Sequence, residues 1–124
     1  MSNQKLAAIG AVRPRLFMFP LFILHARQAL AAAKASQGCS FAGTHFRRGL
    51  AFSLTVWDSP ADMKRYAHGQ GHARAMRWSR LTSQISYFHH FTVTTRPSWD
   101  EAIARWEAHA PLVAAPKLGH KRVF

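Results

Sequence analysis

Eight residues, Leu50–Trp57, constrain the fold of this chain most. Leu50, Phe52, Leu54 and Val56 alternate with Ala51, Ser53, Thr55 and Trp57, which is the two-residue period of a strand. Neither set carries a charge, so the strand needs cover on both faces. The preceding residues 40–47 alternate as well, with Phe41, Gly43, His45 and Arg47 set against Ala42, Thr44 and Phe46. Only Arg48-Gly49 separates the two runs, which predicts an antiparallel hairpin. One of its faces is expected to meet the chain's own helices and the other a second subunit.

The residues after Trp57 announce a helix. Ser59 can cap it, Pro60 suits the first helical position, and Asp62 can meet the first-turn amides and the helix dipole. Met63, Tyr66 and Ala67 form its apolar stripe. Gly69 and Gly71 interrupt it, and His72, Ala75, Met76 and Ser79 continue on one face of a second helix. Residues 87–94 alternate again as a last strand. Ser98 with Glu101 is a capping box, and behind it Trp99, Ile103 and Trp106 form a docking stripe.

Upstream, residues 15–19 read as the first strand, with Phe17 and Phe19 opposed to Leu16 and Met18 and with Pro20 as its end. Residues 21–37 are rich in alanine and read as a helix stopped by Gly38. The order is βαββαβ plus a C-terminal helix. That order predicts an α+β, ferredoxin-like fold: a four-stranded antiparallel sheet with helices on one face. Residues 1–12 are expected to be a flexible arm, 13–110 a single domain, and 111–124 a basic tail.

Composition narrows the function. A chain of 124 residues, 48% hydrophobic, can bury a core of its own. It carries 17 Lys and Arg against 5 Asp and Glu, a formal charge of +12, which favours anionic ligands, nucleic acid or anionic surfaces. The cations are spread from Lys5 to Arg122, without zinc-finger spacing or an RNP-type motif, so nucleic-acid binding is the lesser reading. The single Cys39 allows no internal disulfide and suits the cytoplasm. Arg13-Pro14-Arg15, the apolar residues 16–24 and Ala29-Leu30-Ala31 have the outline of a signal peptide. Pro20 and the loss of the first strand weigh against that reading, and the apolar run is short for a membrane span.

The chemistry available is that of histidine and aromatic side chains. Only Asp58, Asp62, Asp100, Glu101 and Glu107 are acidic, and three of them are explained by helix starts, which leaves too few for paired-carboxylate catalysis. Phosphate-binding, dinucleotide and nucleophile-elbow motifs are absent from the sequence. His72 follows a helix break and is the candidate proton acceptor; the alternative is a packing histidine. His68 and His72 have the i, i+4 spacing of joint metal ligands, but the two glycines interrupt them and spacing marks no third ligand, so no metal is expected. Trp57 could stack on a flat substrate or be a core residue. His45 and His89 are expected to share its face, and Arg47 to orient an anionic group.

The segment SLTVWDSPADMKRYAHGQGHARAMRWSR, followed by a strand and then RPSWDEAIARWE, resembles a family of small uncharacterised proteins. These are related in pattern to antibiotic-biosynthesis monooxygenases and to spheroidene monooxygenase. The matched features are the strand ending in Trp57, the Ser59-led helix, the Gly71-His72 step with its basic helix, and the Arg96-Pro97 turn. The resemblance implies a homodimeric α/β barrel with a ligand cavity between sheet and helices. It further implies a small monooxygenase-like enzyme acting on an aromatic or polyene molecule, in which His72 assists deprotonation without metal or flavin. A non-catalytic small-molecule or haem-binding barrel is the alternative. In the haem-degrading members the ligand histidine falls about one helical turn after His72, where this chain has Met76.

Overall fold

A computed structural model describes residues 4–109. Four strands form one antiparallel sheet in the order β2-β3-β1-β4, where β1 is Lys5–Pro14, β2 Cys39–Arg47, β3 Leu50–Trp57 and β4 Ser83–Val93. The helices are α1 (Phe19–Lys34), α2 (Pro60–Ala67), α3 (Gln70–Thr82) and α4 (Trp99–His109). This is the ferredoxin-like α+β fold read from the element order.

The first strand lies elsewhere than expected. Lys5–Pro14 is an interior strand, paired with β3 from Leu6↔Trp57 to Val12↔Ala51 and with β4 from Lys5↔Val93. The flexible arm assigned to residues 1–12 is therefore corrected from Lys5 onward. Ala7, Ile9 and Ala11 are fully buried; a strand sandwiched between two helical layers can use small side chains that do not read as β-forming by propensity. Residues 15–19 instead make a short 3-10 turn, Leu16–Met18, and begin α1. Pro20 starts that helix rather than ending a strand, because a first-turn residue needs no amide hydrogen. The expected tail 111–124 lies outside the described residues.

Local signals were reliable elsewhere. β2 and β3 form the hairpin with Arg47 opposite Leu50, and Arg48 and Gly49 both have positive φ, 55° and 80°, as a two-residue primed turn requires. The Ser59 hydroxyl accepts from the Asp62 amide at 3.2 Å and donates to the Asp62 carboxylate at 2.9 Å. Likewise Ser98 accepts from the Glu101 amide at 3.1 Å.

Opposite faces of the sheet are built differently. On one, Ile9, Leu50, Phe52, Leu54 and Val56 pack with Ala102, Ile103 and Trp106 of α4. Trp106 meets Phe52 edge-to-face, centroids 5.3 Å apart, and its indole N–H donates to the Tyr87 carbonyl at 3.0 Å. The face reserved for a second subunit is thus covered by the chain's own last helix. The other face lies beneath α1, α2 and α3, where side chains are short.

Candidate functional site

Short side chains on both sides of the α1–α3 interface leave a cavity. Ala8, Gly10, Ser53 and Thr55 line it from the sheet, and Ala26, Ala29, Ala33 and Ala75 from the helices. The space is about 350 Å³, within the range of small-molecule pockets. Among the described residues no lysine, arginine, aspartate or glutamate lines it, although the chain carries +12. Phe88 reaches in from β4 across Gly10, where any Cβ would overlap its ring.

One end of the cavity holds Trp57, Tyr66 and His72. Trp57 is buried, its indole N–H donates to Thr55 Oγ1 at 2.8 Å, and its ring stacks on Tyr66 with centroids 5.2 Å apart. Tyr66 stands edge-on to His72 at 5.3 Å and 75°. Burial pushes the His72 pKa below 6.5, and a hydrogen bond to the Ala67 backbone opposes the shift. The imidazole is therefore neutral near pH 7, and the nitrogen not engaged by Ala67 can accept a proton. Burial raises the Tyr66 pKa above 10, with the neighbouring Cys39 adding to it, so the phenol keeps its proton. Burial also raises the Cys39 thiol, partly offset by its hydrogen bond to the Phe41 carbonyl. Cys39 is no thiolate nucleophile.

Behind this end lies a second space of about 260 Å³ lined by polar groups, among them Ser36, Asp62 and Arg65. Tyr66 and His72 border both spaces, so they form a wall between an apolar chamber and a polar one. Arg65 holds Asp62 at 2.9 Å, and hydrogen bonds from Arg65 and then Ser59 lower the Asp62 pKa. Gly38, at φ 85°, fits against that carboxylate, where a Cβ would collide with it.

Three expected substrate contacts fall on the opposite face. His45 pairs with Phe52 and His89 with Ile9, both residues of the α4-covered core. His45 stacks on Trp99 at 5.1 Å, His89 stacks on His109 at 4.0 Å, and Arg47 binds Asp100 at 2.8 Å. The expectation that His45, His89 and Arg47 surround the ligand is corrected: strand parity turns them away from Trp57. His90, one residue on, does line the cavity, as do His25 and Met76. His25 stacks on Trp78 with centroids 3.8 Å apart. His68 caps the end of α2 while His72 sits in the first turn of α3, so the i, i+4 pair shares no continuous helix. Among the described residues no three His, Cys, Asp or Glu side chains are grouped to hold a metal ion.

No family model matches the sequence, and no curated protein matches it. Solved structures do match its fold. A conserved protein of unknown function from Bacteroides thetaiotaomicron, described as a possible oxidoreductase, superposes with a TM-score of 0.66 at 15% identity, covering 74% of this chain and 100% of that one. An antibiotic biosynthesis monooxygenase superposes with a TM-score of 0.62 at 9% identity, over 74% and 99%. A Caulobacter crescentus protein provisionally described as an antibiotic biosynthesis monooxygenase gives 0.65 at 12%, over 70% and 87%. The chain shares the fold of these proteins.

Proposed function

We propose that the chain is a small monooxygenase-like enzyme that takes a neutral, electron-rich aromatic or polyene molecule into the cavity. The observation that carries this reading is the uncharged cavity closed at one end by Tyr66 and His72. Burial of an apolar ligand there removes its surface from water without stranding a charge.

For a phenolic or quinol-type substrate, the open nitrogen of His72 takes the acidic proton. The Tyr66 hydroxyl, still protonated, donates to the oxygen on which negative charge develops. The resulting anion is itself the reductant of dioxygen. One oxygen atom is added to a ring carbon as a carbonyl in place of its single hydrogen; the other leaves as water with that hydrogen and the hydroxyl proton that His72 took. The substrate supplies all four electrons, so no flavin or metal enters the balance. Trp57 backs Tyr66 and keeps its ring in place.

A haem reading draws less support from the lining. Among the described residues no lysine or arginine lines the cavity to meet the propionates, and by the family resemblance Met76 falls where the haem-degrading proteins carry their ligand histidine. An unchanged spectrum on haem titration is expected; a Soret band lost on replacing one histidine would move the reading to a haem-handling barrel. Light scattering reads the expected homodimer directly. The single Cys39, which allows no internal disulfide, favours the cytoplasm as the compartment. The direct test is dioxygen uptake with a panel of anthrone- and quinol-type compounds, with co-purified ligand identified by mass spectrometry.

A further inference from the structure

Large apolar side chains stand exposed at one end of the molecule. Leu16 is 85% exposed, Phe17 95% and Leu81 59%, with Phe19 and Phe46 also exposed. Four contacts place them together. Pro14 pairs with Ser83, the Arg15 amide donates to the Thr82 carbonyl at 2.8 Å, Phe19 and Phe46 have ring centroids 6.2 Å apart, and Phe46 adjoins the Arg48-Gly49 turn. Soluble monomers rarely display so much contiguous apolar surface without a partner.

The charges around this patch identify the partner. Arg15, Arg48 and Arg80 are exposed beside it, and no acidic residue occurs before Asp58 or from Met63 to Trp99. Asp100, which meets Arg47 beside the hairpin turn, is bound in that ion pair at 2.8 Å. Two copies of this end would repel one another. A nucleic acid would meet the arginines but gain little from projecting leucines. The turn and α1 also form one helix, Leu16–Lys34, long and apolar enough by length and composition to cross a membrane, yet α1 lies along the sheet with Phe22 and Ala33 buried. A helix with one face on its own domain and aromatic residues projecting among arginines suits the interface of a bilayer rather than its span.

The geometry points to a docking surface for anionic lipid bilayers, with Leu16 and Phe17 inserted among the acyl chains and Arg15, Arg48 and Arg80 on the headgroups. Juxtaposed cations gain attraction at an anionic surface, and that part weakens with salt. Val12, Ala51 and Thr82 carry the cavity to this same end, which would let a lipid-soluble ligand pass inward. That last step rests on the proposed function, whereas the docking surface does not.

The test is flotation of the full chain with vesicles of mixed phosphatidylglycerol and phosphatidylcholine, and with phosphatidylcholine alone. Binding to the anionic vesicles is expected, weaker at high salt. A Leu16→Asp/Phe17→Asp variant should bind roughly ten- to hundred-fold more weakly, the loss implied by removing two inserted side chains, with an unchanged circular dichroism spectrum. Phe17→Trp should keep binding and shift its emission to the blue on vesicle addition. Absence of flotation, or flotation unaffected by the double Asp variant, would overturn the proposal. So would a concentration-dependent dimer that the same variant abolishes, since the patch would then be a self-interface. Dioxygen uptake does not enter these readouts, so docking and catalysis can fail separately.

Discussion

Tyr66 stands edge-on to His72, ring centroids 5.3 Å apart, and the two side chains separate an apolar chamber from a polar one. A proton donor and a proton acceptor thus occupy one wall. Burial shifts both the same way, toward the uncharged form: it favours the protonated phenol and the neutral imidazole.

Tyr66→Phe keeps the ring that packs on Trp57 and removes only the hydroxyl. In an enzyme of the proposed kind, kcat should fall by about 100-fold with KM nearly unchanged, as when one preorganised donor to a developing charge is lost. Steady-state kinetics read this directly. A change confined to KM would assign Tyr66 to ligand packing alone.

Acid should destabilise the fold through His72. Its folded-state pKa is held below the 6.5 of the unfolded imidazole, so as pH falls through 6.5 the unfolded chain takes up the proton first and gains population. Stability is unaffected by this group above pH 6.5 and declines below it until the folded imidazole also titrates. Urea midpoints at pH 7.5 and 5.0 should show a smaller drop for His72→Gln than for the parent. His89, lowered by burial and then by the His109, His90 and Arg105 charges, should contribute in the same direction.

Ser59→Ala removes the cap of α2 and the hydroxyl bound to Asp62. A loss of about 1 kcal/mol is expected, read as a lower urea midpoint with an unchanged m-value.

Trp106→Ala tests whether α4 is part of the core. Its ring is 1% exposed and rests on Phe52, so truncation should cost about 3–5 kcal/mol. A small effect would mean that α4 leaves this face readily, and with it room for a second sheet.

Features set by neighbouring residues were legible in the sequence. The hairpin, the Ser59 and Ser98 caps and the βαββαβ order each depend on a few adjacent side chains. What failed depends on distant ones. β1 could not be read because Ala7, Ala8, Gly10 and Ala11 are small in answer to the two layers that cover them. The face of His45 and His89 is fixed only by pairing with Phe52 and Ile9, and His90 enters the cavity by the same parity. The Trp99, Ile103 and Trp106 stripe showed that α4 docks; its destination was set by the large residues of β3 rather than by anything within the helix.

Dioxygen uptake by the parent and by His72→Ala, with anthrone- and quinol-type compounds, tests the central reading most directly. The account predicts uptake in equal stoichiometry with substrate, slowed by about 100-fold or more in the variant, and an acid limb in kcat/KM below pH 6.5 for the parent. No uptake above spontaneous oxidation with any compound, or equal rates for parent and variant, would contradict it.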